Sequence, residues 1–200
     1  MNASTLIGRK MTHATDTEIV GEVTDILFDR SLKAPAFVLA SITTARGTAP
    51  VLFSPAVLAL DDEAIRISAH PDDIAARVDA TIDATNVAVA PGDLPSTFIG
   101  PFGNAFSPSM IAALFNARTA SERPDPPTDG DGVWFSELLG TPVRAHVSDI
   151  GHVSDMIFDD HFTVCEGVEI KTYEQQATIA LTKDLQVKRT PDGTLLLAFI

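Results

Sequence analysis

The sequence predicts a mainly β protein made of two small β-barrels that arise from an internal repeat and are joined by a partly helical linker. Three features predict it. Gly21, Val23, Asp25, Phe28 and Asp29 recur 130 residues later as Gly151, Val153, Asp155, Phe158 and Asp159. Ser4, Leu6, Ile7 and Gly8 recur as Ser136, Leu138, Leu139 and Gly140 at an offset of 132. Around both copies, short β-favouring runs alternate with turn residues, the pattern of many short strands. Residues 1–70 are expected to form the first unit, 133–200 the second, and 71–132 an acidic linker with one or two short helices.

Each element has a physical reason. Gly21 and Gly151 lie where a polar turn feeds a strand-like run, which predicts a glycine at positive φ or at a bulge. The run that follows is a strand. Strict alternation places Val23, Asp25 and Leu27 on one face and Thr24, Ile26 and Phe28 on the other, so both faces are partly apolar. Asp29 and Asp159 then open polar turns, where the carboxylate can accept from the backbone two residues on. In the first unit Phe37 to Ile42, Val51 to Phe53 and Ile65 to Ile67 read as further strands. In the second, Val164 to Ile170 and Ala177 to Leu181 do so, and a closing pair lies around the hairpin signal Thr190-Pro191-Asp192-Gly193, which leads into Thr194 to Ile200. The two offsets differ by two residues, and the difference falls in a turn, where length change costs least.

In the linker, Pro71, Asp72 and Asp73 suit the start of a helix, and Ile74, Val78 and Ile82 share one face of it. Ser107 and Pro108 open a second helix whose stripe is Met110, Ile111, Leu114 and Phe115. That stripe could dock a partner, but packing on a barrel is the favoured reading. Phe98 to Phe106 is rich in aromatic, Gly and Pro residues, and Ser121 to Gly132 reads as a flexible acidic tether.

The order Leu6-Ile7-Gly8, a variable turn, Gly21-x-Val23-x-Asp25-x-x-Phe28-Asp29 and then an apolar strand resembles the PRC-barrel family. Members include the photosynthetic reaction-centre H subunit and the C-terminal domain of a ribosome-maturation factor. Both copies match. The resemblance implies a compact β-barrel used for protein contacts and does not imply an enzyme. The reaction-centre subunit carries a membrane helix and the ribosome factor a different N-terminal domain, neither of which is present here, so neither specific role carries over.

Composition bounds the rest. A net charge of −13 repels phosphate backbones and anionic headgroups, which argues against nucleic acid and membrane surfaces as partners. The linker is the most acidic third. No apolar run approaches the roughly 20 residues of a spanning helix, Met1 to Ile7 lacks a secretory pattern, and a lone Cys165 cannot form an internal disulfide. These features predict a cytoplasmic protein without a membrane span.

Candidate sites are few. His146, Asp149, His152, Asp155, Asp159, Asp160, His161 and Cys165 gather zinc-ligand types in the second unit, but without paired ligand spacing, and surface polar residues on turns are the favoured reading. Asp129-Gly130-Asp131-Gly132 resembles a calcium loop, but the register puts Pro127 and Leu138 where carboxylates are required. Asp25 and Asp155 sit between apolar neighbours. An acceptor of backbone hydrogen bonds at a barrel corner is favoured there over a proton-exchanging group. No nucleophile elbow, phosphate loop or dinucleotide fingerprint occurs.

The expected function is therefore a non-enzymatic interaction or scaffolding module with a protein partner or a second copy of itself. It has no catalytic residue, cofactor or metal. A ligand- or metal-responsive binding protein is the alternative, and an accessory factor in RNA processing or ribosome assembly the third reading.

Overall fold

The computed structural model of the chain describes residues 1–29, 31–61, 63–85, 98–99, 105–106, 132–145, 148–172, 176–180, 185–190 and 195–199. It is mainly β. The first unit contributes β1 (Lys10–His13), β2 (Val20–Phe28), β3 (Pro35–Thr44), β4 (Gly47–Phe53), β5 (Leu58–Leu60) and β6 (Ile65–Ile67). Helix α1 (Pro71–Thr85) follows, then a small hairpin of β7 (Phe98–Ile99) and β8 (Ala105–Phe106), then β9 (Val133–Trp134) and the single turn α2 (Phe135–Leu138). The second unit contributes β10 (Pro142–Ala145), β11 (Ser148–Phe158), β12 (Cys165–Lys171), β13 (Gln176–Ala180), β14 (Leu185–Arg189) and β15 (Leu195–Phe199).

The two large sheets share one topology. Strands run β4-β3-β2-β1-β6-β5 in the first and β13-β12-β11-β10-β15-β14 in the second. In each, the first strand pairs antiparallel with the second and parallel with the last, β1 with β6 and β10 with β15. The repeated residues are thus repeated places in a sheet.

The glycines explain how the sheets pack. A Cβ on Gly21 would collide with the carbonyl oxygen of Ser41, and one on Gly151 would lie 2.6 Å from that of Lys171. Close approach of the neighbouring strand is the cause common to both copies. The pairing with the first strand differs, since Ile150 is an extra residue beside Gly151 between β10 and β11, whereas β1 and β2 pair through Gly21 without a shift. The expected positive φ is likewise found at Gly151, at 151°, and is absent at Gly21. Gly8 and Gly140 do carry it, each at 77°, in the turn before the first strand.

A bulge corrects the expected faces of β2. Register slips between Val23 and Asp25, so Thr24 is an extra residue on that edge, and its hydroxyl donates to the Leu39 carbonyl at 3.2 Å. Ser154 does the same to Glu169 at 3.1 Å in β11, beside the equivalent slip. One extra residue breaks the period of two. Val23 consequently joins Ile26 and Phe28 in the main core, while Leu27 turns outward to a satellite cluster with Leu39 and Trp134.

Helix α1 matches its sequence signature. Ile74 and Val78 are buried in the core, Ile82 packs on it, and Asp72 and Asp73 occupy the first turn. The helix lies against β4 and β3, held by Arg77 on the Leu52 carbonyl at 3.2 Å and by Arg46 on Asp79 at 2.8 Å. The expected helix over Ser107 to Phe115 and most of the Ser121 to Gly132 tether lie outside the described residues. Among the described residues, no helix is long and apolar enough to cross a membrane.

Candidate functional site

The residues that repeat meet at the boundary between the units, and they do so crosswise. Asp25 is only 2% exposed. A buried carboxylate must be met by donors, because leaving it unpaired costs several kcal/mol. One donor is local, the Ile26 amide at 2.9 Å. The others come from the far repeat: Ser136 places its amide 3.1 Å and its hydroxyl 2.6 Å from the two oxygens of Asp25. Asp155, 4% exposed, is built the same way, with the Met156 amide at 2.8 Å, the Ser4 amide at 3.0 Å and the Ser4 hydroxyl donating to its second oxygen.

Each serine therefore clamps the aspartate of the other unit. The chain just before each serine crosses as well. Val133 and Trp134 pair with Phe28 and Leu27 at the end of β2. On the other side, Asn2 bridges to Ile157, the Met1 amino group donates to the Phe158 carbonyl at 2.6 Å, and the Phe158 amide donates to the Met1 carbonyl at 2.7 Å. Beyond the serine each segment returns to its own unit, where the Gly8 amide donates to the Val23 carbonyl and the Gly140 amide to that of Val153.

Apolar residues complete the joint. Phe28 and Phe158, equivalent in the repeat, stack with ring centres 5.7 Å apart and planes 6° from parallel. Equivalent residues facing each other is the signature of an isologous, two-fold-like contact. Leu32 and Phe162 are a second equivalent pair, both buried and both in the left-handed region at φ 55° and 57°. A non-glycine residue there costs about 1–3 kcal/mol, and burial of a large side chain offsets it. Phe162 edges onto Phe158 at 4.5 Å and, with Leu6, Val23 and Ile26, walls a small apolar void of the first unit. Buried side chains of both units belong to one continuous core. The symmetry is not complete: the Cys165 amide donates to the Lys33 carbonyl at 2.7 Å, whereas its equivalent, Pro35, has no N–H to give.

The histidine and carboxylate set of the second unit is dispersed. Asp155 serves the clamp. Asp149 pairs with Arg144 at 2.5 Å on the surface. Asp159 closes its turn, accepting from the Thr163 hydroxyl at 2.6 Å and from the Val164 amide at 3.0 Å, bonds that hold its carboxyl below the usual range. His152, Asp160 and His161 are exposed, and His146 lies outside the described residues. Burial pushes the Cys165 thiol up to about 12. Among the described residues, no three His, Cys, Asp or Glu side chains come together as metal ligands would. The Asp129 to Gly132 motif lies outside the described residues except for Gly132.

Asp25 and Asp155 are acceptors of backbone hydrogen bonds, as their sequence surroundings predict. Their principal partners, Ser4 and Ser136, are visible in the sequence only as repeated polar positions, and nothing there ties either serine to the opposite copy. No protein-family model matches the chain, and no curated protein matches it.

Proposed function

We propose that the chain is a tandem PRC-barrel-type protein of the cytoplasm, in which two small barrels form one non-enzymatic interaction or scaffolding module. The observation that carries this reading is the crossed clamp, in which Ser4 holds Asp155 and Ser136 holds Asp25. The repeated serine and buried aspartate of each copy join the units, so the pair acts as a single body. Recognition then belongs to surfaces where the copies differ. One is the open groove over β1 to β4, where Lys10, Glu22, Thr43 and Thr48 surround the half-exposed Val20. Charged and hydroxyl groups around an apolar centre suit a protein partner.

Affinity purification of the full chain from its native cell, followed by mass spectrometry, tests the proposal. A reproducible protein partner lost on Val20→Asp supports it. Stoichiometric metal or a small metabolite without a protein partner would instead favour a binding protein, and ribosomal proteins an assembly factor.

A further inference from the structure

We propose that protonation of His13 releases helix α1 from the first unit, making this histidine a pH-sensitive latch. His13 ends β1 and is 9% exposed. Its Nδ1 accepts from the amides of Thr15 at 3.2 Å and Asp16 at 3.0 Å, and its Nε2 lies 2.7 Å from the Ala69 carbonyl oxygen. Amides only donate and carbonyls only accept. Nδ1 must therefore carry the lone pair and Nε2 the hydrogen. The neutral ring in that single tautomer meets all three partners.

Position gives the contact its consequence. Ala69 stands two residues before Pro71, the first residue of α1, so the bond to its carbonyl anchors the start of the helix. The residue equivalent to His13 in the second unit is Ala145. The latch is thus no requirement of the repeat, and it accompanies the helix that follows the first unit.

The imidazolium carries a hydrogen on Nδ1, which then points at the N–H groups of Thr15 and Asp16, with only the Thr15 hydroxyl, 3.4 Å away, as an oxygen to meet it, so protonation sets N–H against N–H while the ring stays seated. Asp16 and Glu18 come from the turn after β1, and Asp72 comes from the first turn of α1, all lining one groove. His70 lies 3.5 Å from Asp72 at the exposed helix start. Arg46, from the turn after β3, is taken by Asp79 and Asp83 of the helix. A protonated ring relieves the conflict by swinging out toward Asp16 and Glu18, which gives up the Ala69 carbonyl. What it uncovers is Ile74 and Val78, both buried against the core.

Histidines titrate between about pH 5 and 8, and the test follows the full chain across that window by NMR, reading the His13 ring and amide exchange in α1 together. Exchange at Ile74 and Val78, corrected for intrinsic rate, is expected to rise about tenfold in step with His13 protonation. His13→Gln, which cannot protonate, should abolish that step, and His70→Gln should leave it in place. Helix exchange that ignores the His13 titration, or the same step persisting in His13→Gln, would overturn the latch. The wild-type titration decides the matter even if His13→Gln fails to fold.

Discussion

At the scale of single residues, the molecule depends on two buried carboxylates whose donors are far away in the chain. A hydrogen bond to a charged group contributes about 1.5–3 kcal/mol. A double-mutant cycle of Ser136→Ala with Asp25→Asn, followed by denaturant unfolding, should give a coupling of about 1–3 kcal/mol, and Ser4→Ala with Asp155→Asn a similar value. Coupling near zero in both would show that the serines do not hold the aspartates. Cys165 gives a second expectation. Its thiol is raised to about 12 by burial, so the folded state keeps a proton that the unfolded chain loses from about pH 9 upward. Between those limits the folded state binds more protons, and stability therefore falls as pH rises. Cys165→Ala should flatten that alkaline loss in thermal melts, and at neutral pH the native thiol should react slowly with a thiol reagent that modifies the unfolded chain at once.

At the scale of elements, most strands are legible because their causes are local. Ile65–Ile67 lies where alternation puts it, and β3 extends the expected Phe37 to Ile42 by two residues at each end. Helix α1 is legible from Pro71, two following acids and the spacing of Ile74, Val78 and Ile82. Because Ile74 is 1% exposed beneath that helix, Ile74→Ala should cost about 2–4 kcal/mol and lower the melting temperature, whereas Ala76→Ser on the outer side should cost little. Other features had no local cause to read. The Thr24 bulge exists because Asp25 must turn toward Ser136 while Val23 stays in the core, a demand set by a partner 111 residues away. Left-handed Leu32 and Phe162 carry no glycine or asparagine signal, since burial of their side chains in the core offsets the backbone cost. His13 belongs to no motif of the sequence, because the partner that gives it a role, the Ala69 carbonyl, lies 56 residues further on.

At the scale of the whole molecule, the repeat predicts two units but is silent on how they join, because Ser4 could reach Asp25 or Asp155 with the same chemistry. The fold chooses the distant one in both copies. A joint with one shared core, a stacked Phe28–Phe158 pair and two crossed clamps couples the units. Asp155→Asn should then lower a single unfolding transition followed by signals from both sheets, with no early loss of the second sheet alone. The crossing itself is tested most directly by the Met156 and Ile26 amides, each bonded to the clamped aspartate beside it. In hydrogen exchange on the full chain, Ser4→Ala should speed exchange at Met156 and leave Ile26 near its wild-type rate, while Ser136→Ala should do the reverse. If Ser4→Ala instead exposes Ile26 and spares Met156, each serine serves its own unit and the crossed joint is wrong.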